Sequence, residues 1–139
     1  MKQLVHIFLV IFLFLLMGCE RNDCITVRVP VNFYIYPNEV SYLDLNYYGG
    51  HEYFTGGVSG IVVYRLGESE FTAFDRACPY DWDDEDSWIW VEESGITLRC
   101  QRCGSQFSIL DGAVITGPAI CPLRQYYTKF DGMRLRVHS

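Results

Sequence analysis

The chain has 139 residues, half of them hydrophobic, and its 17 acidic residues against 11 basic ones give a formal net charge of −6. This acidic balance disfavours nucleic-acid binding through a basic surface. An aromatic content of 16% favours a folded chain over a disordered one, and the length suits a single domain with a real core.

The N-terminus has the pattern of an export signal. Lys2 precedes the almost wholly apolar run Leu4–Met17. At about 14 residues, this run is shorter than the roughly 20 residues that a membrane-spanning helix needs. We therefore expect residues 1–18 to be a signal peptide that is removed on export.

The end of this leader carries a second signal. Leu16-Met17-Gly18-Cys19 resembles the bacterial lipobox, in which a small residue precedes a cysteine that is lipidated and becomes the new N-terminus. The resemblance implies that Cys19 carries lipid and that residues 19–24 tether the domain to a membrane. We expect a lipoprotein of the bacterial cell envelope, facing the periplasm or the exterior.

Residues 25–139 form the predicted domain and consist of short segments rich in β-branched and aromatic residues, which favour strands. No segment has a convincing helical period. The predicted strands are Ile25–Val29, Asn32–Tyr36, Ser41–Asn46, Ile61–Leu66, Phe71–Asp75, Trp88–Val91, Ile96–Arg99, Gln106–Leu110, Ala113–Thr116, Tyr126–Phe130 and Met133–Val137.

Turn signals separate these strands. Asp111-Gly112 and Asp131-Gly132 lie between pairs of them and predict hairpins. Pro30 and Pro37 flank the first strands and place those strands at a sheet edge or a strand start. Frequent turns between short strands indicate an all-β antiparallel barrel or sandwich.

Five cysteines remain after the lipobox. Cys100-Gln101-Arg102-Cys103-Gly104 is a compact turn that can direct two sulfurs at one ion. Cys78 upstream and Cys121 downstream extend this pair to a four-thiolate set suited to zinc or an iron–sulfur cluster. An exported chain also favours disulfides, and Cys24 has no assigned role.

Four segments around the cysteines follow a recognisable pattern: Ala77-Cys78-Pro79-Tyr80, Leu98–Phe107, Asp111–Ala119 and Pro122-Leu123. Together they resemble the Rieske domain, and the resemblance covers roughly Val40–Val137. In that family a Cys-x-His loop and a Cys-x-x-His-Gly loop bind a [2Fe-2S] cluster, and a Gly-Pro-Ala loop covers it. The resemblance implies a small antiparallel β architecture with a metal site carried by loops at one tip.

The ligand positions of the family are only half matched. Cys78 and Cys100 occupy its two cysteine positions, but Tyr80 occupies the first histidine position and Cys103 the second. A cluster with two cysteine and two histidine ligands therefore cannot form. We expect Cys121, just after the covering loop, to be the fourth ligand, because ionising a thiol at pH 7 costs about 2 kcal/mol and ionising the phenol of Tyr80 about 4.

Three interpretations of the four sulfurs stay open. They hold a [2Fe-2S] cluster for electron transfer to a redox partner protein, they form a structural zinc site, or they pair as disulfides in a metal-free binding module. We expect the first. An enzyme is not indicated: no activated nucleophile is apparent, and the chain is too short to hold the separate mononuclear-iron domain of a Rieske oxygenase.

The acidic run Asp81–Asp86 adjoins the first ligand loop. Such a run can dock a basic partner or bind a hard cation such as calcium. Like charges repel, however, and we expect a solvated loop tip.

Overall fold

The computed structural model describes residues 27–139, and within them no helix is long and apolar enough to cross a membrane. The predictions for the signal peptide, Cys19, the tether and Cys24 lie outside the described residues. The described elements, in chain order, are β1 (Asn32–Ile35), a 3-10 helix (Val40–Asn46), β2 (His51–Phe54), β3 (Ile61–Arg65), β4 (Phe71–Asp75), β5 (Ile89–Val91), β6 (Thr97–Cys100), β7 (Gln106–Ser108), β8 (Val114–Thr116), β9 (Gln125–Phe130) and β10 (Leu135–His138).

The strands form two antiparallel sheets. One has six strands in the order β1-β10-β9-β4-β3-β2, and the other has four strands in the order β5-β6-β7-β8. The predicted all-β antiparallel architecture is confirmed. β1 lies at an edge of the larger sheet, in agreement with the prolines on either side of it.

Two central strands separate two apolar cores. Every residue of β3 and β4 is buried, so these strands are covered on both faces. Ile61 faces one core, whereas Val62 and Phe74 face the other, which lies between the two sheets. Cys78 and Cys100 belong to this second core, and the packed interior therefore continues up to the cysteine loops.

Both predicted hairpins are present. Asp111-Gly112 joins β7 to β8 and Asp131-Gly132 joins β9 to β10, with φ angles of +72° and +96° at the two glycines. The Asp131 carboxylate accepts a hydrogen bond from the backbone N–H of Arg134 at 2.8 Å. Aspartate closes the turn and glycine supplies the left-handed backbone, as the dipeptides predict.

The segment predicted as the strand Ser41–Asn46 is instead part of the 3-10 helix. Leu45 is fully buried, and Tyr42, three residues earlier, packs on the same core. The segment is kinked at Tyr42, where φ is −128° and ψ is 53°, so two short turns run through it and not one regular helix. The strand prediction was wrong because the aromatic and β-favouring composition outweighed the weak signal of such short turns.

β2 was not predicted. It pairs with β3 at the edge of the larger sheet, and its histidine and glutamate are compatible with that partly exposed position. The chain enters it through Gly50, where a Cβ atom would lie 1.6 Å from the backbone oxygen of Asp44. Only glycine allows the two backbones to approach this closely.

Candidate metal centre

Two loops meet at one end of the smaller sheet. The first follows β4 and carries Cys78, and an isolated bridge between Ala77 and Trp88 closes its base. The second is the turn between β6 and β7, with Cys100 as the last residue of β6 and Cys103 within the turn. The sheet therefore fixes where both loops begin and end.

A buried carboxylate anchors the first loop. Asp75 is almost fully buried and accepts hydrogen bonds from the backbone N–H groups of Val58 at 2.8 Å and Ala77 at 3.0 Å. The hydroxyl of Tyr126 donates to the same carboxylate at 2.7 Å. Burial, together with this hydrogen bond and the charge of Asp75, raises the pKa of Tyr126. The hydrogen bonds of Asp75 thus position the backbone just before Cys78.

Three thiols and one carboxylate converge between the loops. The Sγ atoms of Cys78 and Cys103 are 3.6 Å apart, and Cys100 Sγ is 3.8 Å from Asp81 Oδ1. All four donor atoms lie within 4.8 Å of one another. Cys78 and Cys100 are fully buried and Cys103 is half-buried, and all three are free thiols. Thiolate and carboxylate are both ligands of zinc, and thiolates also hold iron.

Serine hydroxyl groups lie beside two of the sulfurs. Ser105 Oγ accepts the backbone N–H of Ala119 at 2.9 Å, which leaves its own proton free for Cys103 Sγ at 3.0 Å. Ser87 Oγ lies 3.6 Å from Cys100 Sγ and contacts the Asp81 carboxylate. Both serines are buried. Ser105 also ties the Gly-Pro-Ala segment to the second ligand loop.

Backbone N–H groups complete the surroundings of the sulfurs. Burial raises the pKa of Cys78, although the N–H of Tyr80 donates to its sulfur. Burial opposes ionisation of Cys100 as well, but hydrogen bonds from the N–H of Cys103, from Ser87 and from the thiols of Cys78 and Cys103 together outweigh it and lower the pKa of Cys100. Such donors stabilise sulfur in its thiolate form, which is the form that binds metal.

One cation balances the carboxylates beside the thiols. Arg102 Nε lies 3.5 Å from Asp81 Oδ2, and its terminal nitrogen pairs with Asp84. Asp81 is mostly buried, whereas Asp83 and Glu85 are exposed. Only part of this acidic run therefore forms the solvated loop tip that the sequence predicts.

The predicted ligand set is brought together only in part. Cys78, Cys100 and Cys103 converge, but Cys121 is disulfide-bonded. A sulfur in a disulfide has no thiolate charge to offer a metal, and the expectation that Cys121 is the fourth ligand is thereby corrected.

The fourth donor is Asp81, which is not among the ligands that the sequence predicts. Tyr80, at the position of the family's first histidine, has 57% of its surface exposed and contributes its backbone N–H to Cys78 rather than its phenol. The signal for Asp81 is its spacing, since Cys78-Pro79-Tyr80-Asp81 repeats the spacing of the pair that ends in Cys103.

Comparison with known proteins identifies the fold. The sequence matches no protein-family model and no curated protein. The structure is similar to the ferredoxin of carbazole 1,9a-dioxygenase from Nocardioides aromaticivorans IC177, with 17% identity and a TM-score of 0.53 over 79% of this chain and 97% of that one. It is also similar to the plasma-membrane Rieske protein PetC3 of the cyanobacterium Synechocystis PCC 6803, with 20% identity and a TM-score of 0.56 over 76% of this chain and 99% of that one. The chain therefore has a Rieske-like fold.

Proposed function

We propose that the protein is a lipid-anchored metal-binding protein of the bacterial cell envelope. The observation that carries the proposal is the convergence of three free thiols and a carboxylate within 4.8 Å. Two of the thiols are fully buried, and hydroxyl and N–H donors are directed at the sulfurs. Metals bound by thiolates are usually held in such an environment, in which the ligands are buried and hydrogen-bond donors surround the sulfurs.

The envelope location rests on the leader and on sulfur chemistry. The lipobox-like sequence before Cys19 implies a lipid anchor, and a three-chain anchor holds a protein far more stably than a single acyl chain. The disulfide at Cys121 supports the same location, because disulfides persist in oxidising compartments. Free thiols in such a compartment gain protection from oxidation when a metal binds them.

Electron transfer is the second candidate function, and the Rieske-like fold favours it. It requires iron at the thiol site, as a [2Fe-2S] cluster or as a single ion, with one electron accepted from a donor protein and passed to an acceptor. The exposed carboxylates of Asp83, Glu85 and Asp86 lie beside the site and offer a docking surface for a basic redox partner. Zinc at the same site would be structural and redox-silent.

Metal analysis of the full chain, isolated anaerobically from membranes in detergent, tests this proposal. We expect bound zinc or iron in the wild type and its loss in Cys103→Ser, since a hydroxyl is a poor substitute for a thiolate. Tyr80→Phe is the matched control and should retain the metal, because the phenol is exposed and outside the donor set. Metal-free protein with three reduced thiols would contradict metal binding, and recovery in the soluble fraction would contradict the anchor.

A further inference from the structure

We infer that the site holds a single tetrahedral zinc ion, with Asp81 as the fourth ligand, in place of the two-iron cluster of the fold family. This inference rests on the proposed metal-binding function and specifies its ligand. It is carried by the spacing of the donors, by the arrangement of the two loops and by the contacts of the Asp81 carboxylate.

The donor spacing fits one ion. With a zinc–sulfur bond of about 2.3 Å, two ligands of a tetrahedral site are about 3.8 Å apart. Cys78 Sγ and Cys103 Sγ are 3.6 Å apart, and Cys100 Sγ and Asp81 Oδ1 are 3.8 Å apart. These pairs lie close to two edges of such a tetrahedron, and no pair among the four donors exceeds 4.8 Å.

The same spacing does not fit a [2Fe-2S] cluster. In the Rieske arrangement the positions of Cys78 and Cys103 serve different irons, with the bridging sulfides between them. Ligands on opposite irons must therefore stand further apart than two ligands that share an ion. The 3.6 Å separation of these two sulfurs matches ligands on one ion and not ligands on opposite irons.

The two loops present their donors in the same way. The first contributes Cys78 and Asp81 and the second contributes Cys100 and Cys103, each pair separated by two residues. A pair with this spacing closes a tight turn around one ion, and two such turns facing each other supply a full tetrahedral set. The donor in the first loop lies one residue beyond the family's histidine position, which Tyr80 occupies.

The Asp81 carboxylate is already held in a ligand-like orientation. Its Oδ1 faces Cys100 Sγ, while its Oδ2 faces Arg102 Nε at 3.5 Å. The hydroxyl of Ser87 contacts Oδ1 from within the loop. An arginine on the outer oxygen fixes the carboxylate and offsets part of the charge of three thiolates and a carboxylate. Zinc accepts both sulfur and carboxylate oxygen in closed sites of this kind.

Cobalt titration of the full-length protein, stripped of metal and kept anaerobic in detergent so that the disulfide of Cys121 stays closed, tests the inference, because tetrahedral cobalt reports its ligands in the visible spectrum. The wild type should saturate at one cobalt per chain. Asp81→Asn should bind cobalt at least about tenfold more weakly. The matched control is Asp83→Asn, which removes an exposed carboxylate of the same loop outside the donor set and should leave the affinity unchanged. Asp81→Cys should keep one cobalt and intensify the sulfur charge-transfer band.

The outcomes separate this inference from the proposed function. Equal affinities in wild type and Asp81→Asn, or two irons with two acid-labile sulfides in the protein as isolated, would overturn the single-ion site while metal binding stands. Failure of the wild type to bind any metal under these conditions would overturn both. Weak cobalt binding by both Asp81→Asn and Asp81→Cys would show that Asp81 supports the loop and is not a ligand.

Discussion

Ser105 is the buried residue that links the thiol site to the segment covering it. Its hydroxyl accepts the N–H of Ala119 and faces the Cys103 sulfur. Removing it leaves a buried N–H without its acceptor and a thiolate without its donor. A hydroxyl so placed holds the sulfur in the orientation that the metal needs.

Ser105→Ala should weaken metal binding by about 10- to 100-fold. It should also lower the free energy of unfolding by about 1–3 kcal/mol, the cost of an unsatisfied buried group. Competition with a chelator measures the first effect and chemical denaturation the second. The exposed Ser94→Ala is the control. An unchanged metal affinity would mean that the hydroxyl only supports the covering segment.

Three of the four side chains in the converging cluster are ones that the sequence singles out as candidate ligands. Spacing and resemblance indicate Cys78, Cys100 and Cys103, which converge in the structure. Asp81 was missed because it begins a run of similar acidic residues, although its spacing from Cys78 matches that of Cys103 from Cys100. Cys121 was assigned from its position after the covering loop, but closeness in sequence does not reveal a disulfide.

Two hairpins with the same Asp-Gly turn differ in what surrounds their glycines. A Cβ added at Gly112 would lie 2.9 Å from the ring of Phe74 and 3.1 Å from Cβ of Leu123, whereas Gly132 has nothing within 4 Å. Gly112 thus serves both the turn and the core between the sheets. Gly132 serves the turn alone.

Gly112→Ala should destabilise the protein more than Gly132→Ala. Both substitutions should lower the free energy of unfolding by roughly 1–2 kcal/mol, because alanine is disfavoured in the left-handed conformation. Gly112→Ala should lower it by about 1–3 kcal/mol more, because the added methyl group overpacks against Phe74. Denaturant titration of the two variants measures the difference. Equal losses of unfolding free energy in the two variants would show that the core accommodates the methyl group of Gly112→Ala without strain.

Most strand positions were predictable to within a residue or two, as for β4 and the β9–β10 hairpin, but residues 27–29 of the predicted strand Ile25–Val29 are not in a strand. The 3-10 helix and β2 were not predicted, for two physical reasons. One turn of 3-10 helix has too short a period to stand out, and an edge strand such as His51–Phe54 lacks the apolar run of a central one.

At the scale of the whole molecule, the candidate metal site is an extension of the core. Cys78 and Cys100 pack with Phe74 and Leu98 between the two sheets. Because the thiols are part of this packed interior, an ion that holds them adds its binding energy to the stability of the fold. The Rieske-like fold supplies the two loops, and the donors on them decide which metal they hold.

X-ray absorption at the metal edge of the protein as isolated tests the central claim most directly. A single tetrahedral site predicts three sulfur neighbours at about 2.3 Å and one oxygen at about 2.0–2.2 Å, with no second metal nearby. A metal–metal shell together with bridging sulfide would contradict the single-ion site and restore the two-iron cluster of the fold family.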